Sequence, residues 1–243
     1  MSTKTVPTPD ASPKAAARWE DFIDVFFSPS ELFRRRANDN WWVPIIVLSV
    51  LSLIVYYAFL PVNRVIMETA MMSNPQLTEE QRAQVGNMSG AIGLIWGIVV
   101  PITMAVMVLL VGFFAWLAGK MTSINLTFRC ALMVTAFIGM LTFVQQLVAY
   151  LLFSLKVRSG AELDVIRDGS FGILRFIDRT DMNVALVGLL SRIDLFALWQ
   201  LAWFALAFIA AAKAPKAGAW ITAAIVWLAG ALPFMLQALG SRA

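Results

Sequence analysis

The sequence predicts an all-α, polytopic integral membrane protein: a bundle of five transmembrane helices preceded by an amphipathic helical segment at the membrane interface. Three observations carry this reading. The 243-residue chain is 60% hydrophobic and only 14% charged, with a mean hydropathy of +0.75, which is more apolar surface than a soluble core of this size hides. Apolar runs near the roughly 20 residues a helix needs to cross hydrocarbon recur at about 41–60, 90–118, 128–155, 195–212 and 217–238. Between Ala15 and Phe27, the residues Trp19, Phe22, Ile23 and Phe26 fall at i, i+3, i+4 and i+7, while Glu20, Asp21 and Asp24 take the other face. That is the pattern of a helix half-buried at a surface.

In chain order, residues 1–14 hold almost nothing apolar, so they cannot offset the entropy of ordering and read as a disordered tail. Residues 15–40 form the interfacial region. Ser28-Pro29-Ser30-Glu31 reads as a capping box that starts a second short helix. This helix turns Leu32 and Phe33 toward an apolar partner and presents Arg34, Arg35 and Arg36 to an anionic lipid surface. Asn38-Asp39-Asn40 supplies caps for the first span, and Trp41-Trp42 sits at headgroup level. The candidate membrane-interface residues are therefore Trp19, Phe22, Phe26, Arg34, Arg35, Arg36, Trp41 and Trp42.

Pro61 closes the first span, and the chain leaves the membrane from Val62 to Ser89. A surface helix runs from Val62 to Met71 until Asn74-Pro75 breaks it, and Thr78 with Gln81 caps a helix leading into the second span. Met67, Met71, Met72 and Met88 read as packing residues, not as thioether copper ligands. The second span is long enough to require tilt, a kink at Pro101, or both. Its Gly93 and Gly97 form a small-residue pair that admits a close helix neighbour, with internal packing preferred over a dimer seam. Gln145 and Gln146, near the middle of the third span, either bond to other helices or line a solute path.

The stretch from Lys156 to Ser191 carries nearly balanced charges. Phe171, Leu174 and Ile177 are spaced like one helix face, and Val184 to Leu190 either lies in the interface or belongs to the fourth span. Arg192 and Asp194 at the start of that span read as a salt bridge or helix cap, or as part of a polar patch shared with a partner. Lys and Arg near short connections favour a cytoplasmic N-terminus and an external C-terminus.

No histidine occurs, and Cys130 is the single cysteine. There is accordingly no Ser-His or Cys-His nucleophile pair, no imidazole metal site and no intrachain disulfide. No Asp or Glu stands well inside a span, and no glycine-rich phosphate loop is present. Asp164, Asp168, Asp178 and Asp181 do not match a calcium loop and read as a solvated charged loop. The formal charge of +4 is divided among loops and does not form a nucleic-acid stripe. The reading is a non-enzymatic protein with no cofactor or metal.

Phe26-Phe27-Ser28-Pro29, Phe33 and Trp41-Trp42-Val43-Pro44 opening a span resemble the start of the Ypt-interacting-protein (Yip) domain family in its bacterial form. Thr127-Phe128-Arg129 opening the third span is similar too, as is Ile193-Asp194-Leu195-Phe196-Ala197-Leu198-Trp199 followed by an apolar helix, a Lys-rich turn and a last helix. The resemblance implies a five-span helical bundle with a cytosolic N-terminus. Phe128, Arg129, Arg192, Asp194, Phe196 and Trp199 become a candidate partner patch. Eukaryotic members are implicated in vesicle trafficking through small GTPases and partner Yip proteins. This chain lacks their long N-terminal region and Asp-Leu-x-Gly-Pro type segment, so a small GTPase is not the expected partner.

Two functions follow. One is a non-enzymatic scaffold or accessory protein of a bacterial inner membrane, working through lipids, other membrane proteins or self-association. The other is a small channel or transporter with a polar path near Gln145 and Gln146.

Overall fold

The computed structural model describes residues 19–37, 39–72, 78–179 and 182–240. The 1–14 tail, Asn38, Asn74-Pro75 and Asp181 lie outside them, as do the side chains of Met71, Met72 and Met88 and the surroundings of Gly86, Gly90 and Gly93. The elements are α1 (Asp21–Phe27), α2 (Pro29–Arg36), α3 (Trp42–Ala58), α4 (Leu60–Met72), α5 (Glu79–Met121), α6 (Phe128–Ser159), α7 (Val165–Gly169), α8 (Val184–Leu190), α9 (Leu195–Ala212), α10 (Lys216–Ala229) and α11 (Leu232–Gly240). A 3-10 turn at Ile173–Arg175 and an isolated bridge between Gly172 and Asp194 complete the described structure.

Three helical stretches are by themselves long and apolar enough to cross a bilayer: Gly97–Met121 of α5, Phe128–Ser159 (α6) and Leu195–Ala212 (α9). Two bent pairs meet the same test jointly, α3 with α4 across an 81° bend and α10 with α11 across a 40° bend, so the described helices supply three to five candidate spans, five if each bent pair is one span. The chain is a helical membrane bundle. In α3 the residues Ile45, Leu48, Ser52 and Val55 face inward. Ile46, Val50, Ile54 and Tyr57 remain exposed, as on a helix that is apolar all round because lipid covers its outer face. α6 is the hub: nearly every side chain from Cys130 to Leu141 is buried, and α3, α5 and α9 all pack against it.

The ends of the spans sort themselves. At one end, Arg129 at the start of α6 donates to Asn40 Oδ1 at 3.0 Å and to the Asp39 carbonyl at 3.2 Å, just before α3. The turn after α5 joins the same end through the hydroxyls of Thr122 and Thr222, 2.6 Å apart. The opposite end carries the α3–α4 elbow, the loop after α6, α8 and α11.

Several expectations change. The first span ends at Ala58, and Pro61 does not terminate structure but lies in the first turn of α4, where its missing amide is harmless. α5 begins at Glu79 and runs unbroken through Pro101 for 43 residues, roughly 65 Å at 1.5 Å per residue. The helix expected over Phe171 to Ile177 is only the 3-10 turn. Gly172 is extended against the backbone of Ile193, where a Cβ would meet the Ile193 oxygen at 2.0 Å, and Ile173 N donates to the same carbonyl. Val184–Leu190 is its own helix, α8, and it packs on α11 with Gly188 under the Phe234 ring. The capping box at Ser28 does not form: its side chain makes no cap bond, and α2 starts on its carbonyl. Asp39 and Asn40 do not cap α3 either, because Arg36 and Arg129 hold them.

The charged loop is folded around a buried Asp168, while Asp178 is exposed and Asp164 partly so. Lys156 Nζ bonds both oxygens of buried Asp168 at 2.7 Å, and Asp168 in turn accepts from Asp164 N. Asp164 caps α7 through Arg167 N and pairs with Arg179. Beneath lies a small second core of Val62, Phe153 and Leu163.

Gly97 is buried with the Tyr57 hydroxyl only 2.2 Å from where its Cβ would be. The close approach is thus used within the chain, by α3. Gly97→Val should destabilise the protein by about 1–3 kcal/mol through overpacking, and Tyr57→Ala in the same chain should recover part of the loss. Thermal unfolding in detergent of the two single variants and the double variant measures this.

Candidate interaction site

α1 and α2 form an antiparallel hairpin whose two arms are joined by opposite charges at their open end. Arg36 Nε donates to Asp21 Oδ2 at 2.8 Å, and Arg35 Nη2 reaches Asp21 Oδ1 and, at 2.7 Å, Asp24 Oδ2. Arg36 Nη1 also bonds Asp39 Oδ2 at 2.7 Å. The side chain of Asp21 is 4% exposed and that of Arg36 13%. A carboxylate this deep is tolerated because two guanidiniums satisfy it. Arg35 and Arg36 are therefore turned to carboxylates, although Arg35, like Arg34, stays exposed and only Arg36 is half-buried.

The hairpin is seated against the spans. Leu32 and Phe33 are fully buried, and α2 packs along α9. Phe22 lies 5.8 Å from Phe137 of α6, Phe26 lies 6.2 Å from Trp199, and Trp203 Nε1 donates to the Val25 carbonyl at 2.5 Å. Phe137 and Trp203 are well inside their helices, so the contact is made at the depth of the spans. The residues left uncovered on α1 are Trp19, Ile23 and Phe27, the last 82% exposed. Trp41 packs on the core, while Trp42 faces outward.

An aromatic ladder continues from the hairpin. Trp199 neighbours Trp203 at 5.4 Å and Phe196 at 6.1 Å, and Phe196 meets Phe171 edge-on at 5.1 Å. Asp194 anchors its far end, accepting from Phe196 N at 2.9 Å as the α9 cap and from Phe171 N at 2.6 Å. Of the two plain alternatives for Arg192 and Asp194, the cap is what forms. Arg192 turns away to the α10–α11 break, where its Nη1 stands 2.6 Å from the position a Cβ on Gly230 would take.

The six residues of the proposed partner patch therefore divide. Asp194, Phe196 and Trp199 come together. Phe128 and Arg129 open α6 at the other end of the bundle, with the Phe128 ring edge-on to Trp116. Gln145 and Gln146 are half-buried on α6; Gln146 Oε1 is buried without a hydrogen-bond partner, and its side chain lies within reach of the Tyr150 hydroxyl.

Residues 23–237 match the Yip1 domain family. The chain belongs to that family. No match was found among curated proteins or among solved structures. In this Yip1-family chain the region preceding the first span is thus an integral part of the matched domain, from Ile23 onward. Sequence reasoning missed Asp21, Asp24 and Asp39 as partners of the arginines, and Phe171 and Trp203 as members of the ladder. The available signal was an acidic face on α1 and a basic end on α2 with Ser28-Pro29 between them, the arrangement of a charge-matched hairpin.

Asp21→Asn or Arg36→Met alone should cost about 1–3 kcal/mol, since Arg36 keeps Asp39 in the first and Asp21 keeps Arg35 in the second. Asp21→Met with Arg36→Met should cost less than the sum of the two. Unfolding of the two single variants and the double variant, combined with proteolytic release of residues 19–36, gives the coupling. The loop after α6 responds to acid. Burial alone would raise the Asp164 carboxyl, but the Arg167 amide and the Arg179 guanidinium more than offset it and hold it below its usual range. Its contribution is complete above about pH 4 and is lost as pH falls through the lowered folded value. Hydrogen exchange across residues 160–179 should therefore be slow at neutral pH and accelerate only in strong acid.

Proposed function

We propose that this Yip1-family protein is a non-enzymatic membrane scaffold or accessory protein that works by lateral contact with other membrane proteins. The observation that carries the reading is the docked hairpin. Its ion pairs and inward aromatic residues fix it on α6 and α9, and its outward residues Trp19, Ile23 and Phe27 form an apolar face at the depth of the spans. A rigid apolar face of this kind offers affinity without a large ordering cost on binding. The acids that catalysis would call on have structural work here: Asp21 and Asp39 hold arginines, Asp168 holds Lys156, and Asp194 caps α9.

The expected setting is a bacterial inner membrane with the N-terminus in the cytoplasm and the C-terminus outside. Supporting this, Arg34, Lys120, Arg129, Lys213 and Lys216 all belong to the end of the bundle where α3 and α6 begin, as the positive-inside tendency requires. Neither nucleic acid nor a small GTPase is the expected partner.

The alternative is a small channel or transporter, and the unpartnered Gln146 Oε1 favours it. It needs a polar path past Gln145 and Gln146. Neither the apolar groove beside α10 nor the crevice under the hairpin is lined by either glutamine.

Purification from native membranes in mild detergent should yield a reproducible companion protein. Ile23→Ser with Phe27→Ser should remove that companion while leaving the melting temperature within a few degrees of the parent. A homogeneous monomer with no companion would overturn the scaffold reading. Loss of solute flux in Gln146→Leu vesicles would establish the transporter instead.

A further inference from the structure

The α1–α2 hairpin points its tip into the bundle. Its open end, where Asp21 meets Arg35 and Arg36, is tied through Asp39 to the end where α3 and α6 begin. Val25, near the tip, accepts from Trp203 Nε1. Trp203 stands eight residues after Leu195 and nine before Ala212 in α9, roughly 12 and 14 Å from the two helix ends at 1.5 Å per residue. Val25 is therefore level with the middle of a span. Glu31 lies three residues beyond Ser28, as Val25 lies three before it, so the returning arm carries Glu31 at a similar depth.

Glu31 faces outward there. It is exposed, as is Arg34 one turn later on the same face of α2, and beside them α1 exposes Ile23 and Phe27. Among the described residues no ion pair within 4 Å involves Glu31 or Arg34, not even with each other. The neighbouring charges are already matched, Asp21 and Asp24 with Arg35, and Asp39 with Arg36. Lipid tails cover the apolar stripe as well as protein would, but they leave a carboxylate and a guanidinium unpaired, and charged side chains at span depth pair with one another or face protein or water. The surface that covers this face has to be apolar and to carry one charge of each sign about a helical turn apart.

The hairpin is itself such a surface. We propose that the outer face of the hairpin is the contact between two copies of this chain, with Glu31 of each copy paired to Arg34 of the other. Copies in one membrane share the same inner end, so a two-fold axis along the membrane normal relates them and their α2 helices face each other in parallel. Arg34 starts about 4.5 Å nearer the surface than Glu31. Helical side chains lean toward the N-terminus, which in α2 is the deep end, and this brings the guanidinium to the level of the opposite carboxylate. Charge complementarity selects this occupant: lipid or a neutral apolar helix satisfies neither charge, and a partner bearing one sign satisfies only one. The proposal rests on the lateral-contact reading of this face and names the partner as a second copy.

The test co-expresses two full-length copies carrying different affinity tags, extracts them in mild detergent and measures how much of the second tag is captured with the first. Parent chains should capture each other. Glu31→Arg in both copies, or Arg34→Glu in both, sets like charges opposite one another and should lower capture roughly tenfold. A Glu31→Arg copy mixed with an Arg34→Glu copy has opposite charges at both contacts again and should recover most of the parent capture. Misfolding gives no such cross-rescue, and melting temperatures within a few degrees of the parent establish that each variant is folded. A monomeric parent, unchanged capture in either single variant, or no recovery in the mixed pair would overturn the proposal. The two readings separate: a parent that captures a different membrane protein but not its own second copy keeps the scaffold reading and excludes the dimer, whereas a parent dimer free of any other protein does the reverse.

Discussion

The pairing of Asp21 with Arg35 and Arg36 allows a charged segment to lie among apolar helices. Ion pairs of this burial add little net stability, since desolvation consumes most of the Coulombic gain. What they supply here is register. With Asp21 held by two guanidiniums, α1 can meet α2 in only one alignment, and that alignment turns Val25, Leu32 and Phe33 fully inward. The close packing of those residues against the spans is the favourable term, because lipid tails are as apolar as the core and van der Waals contact carries helix association at that depth. The same Arg36 reaches Asp39, and Arg129 reaches Asn40 beside it, so the hairpin, the start of α3 and the start of α6 are tied into one corner.

Much of the fold was legible in the sequence because the membrane imposes a simple rule of length and polarity. The apolar run expected at 195–212 is the helix α9, and the all-helical membrane class follows from apolar runs alone. What was not legible is what each apolar face meets. Periodicity groups Phe22 and Phe26 with Trp19 and Ile23, but in the folded chain the first two contact Phe137 and Trp199 while the others stay uncovered. The wide apolar arc of α1 is divided between protein and lipid, and a single sequence carries no marker for the dividing line. Likewise the three arginines looked like a lipid-facing cluster because their acids precede them by more than a helical turn, across the Ser28-Pro29 corner.

The candidate site was partly readable for a similar reason. Asp194 at a span boundary before an apolar helix signals a cap, and it caps. Its second role, holding Phe171 N from a distant loop, depends on Gly172 pressing against Ile193. That tertiary fact replaced the helix expected over Phe171 to Ile177. Phe128 and Arg129 shared a resemblance with Phe196 and Trp199, but α6 and α9 run in opposite directions, so the residues that open them belong to opposite ends. Similarity of motif position along a chain does not place motifs together when alternate helices reverse.

The two broken spans show how backbone polarity is managed at membrane depth. α3 and α10 have 17 and 14 residues, about 25 and 21 Å, both short of the roughly 30 Å hydrocarbon core. Each is followed by a helix bent away from it, by 81° after α3 and by 40° after α10, and the main-chain groups at such a bend have to be satisfied within the protein. At the α3–α4 elbow the chain answers this internally: Asn63 Nδ2 donates to the Tyr56 carbonyl at 3.0 Å, and Phe59 stacks on Tyr150. At the α10–α11 bend the chain's own amides close only the turn itself, with Gly230 N and Ala231 N returning to Trp227 and Leu228. The polar group set over that turn is Arg192, a cation brought from another helix, whose Nε finds no acceptor within the described protein. The first break is sealed by a neutral amide from its own bend, whereas the second is covered by a half-buried guanidinium brought from outside it.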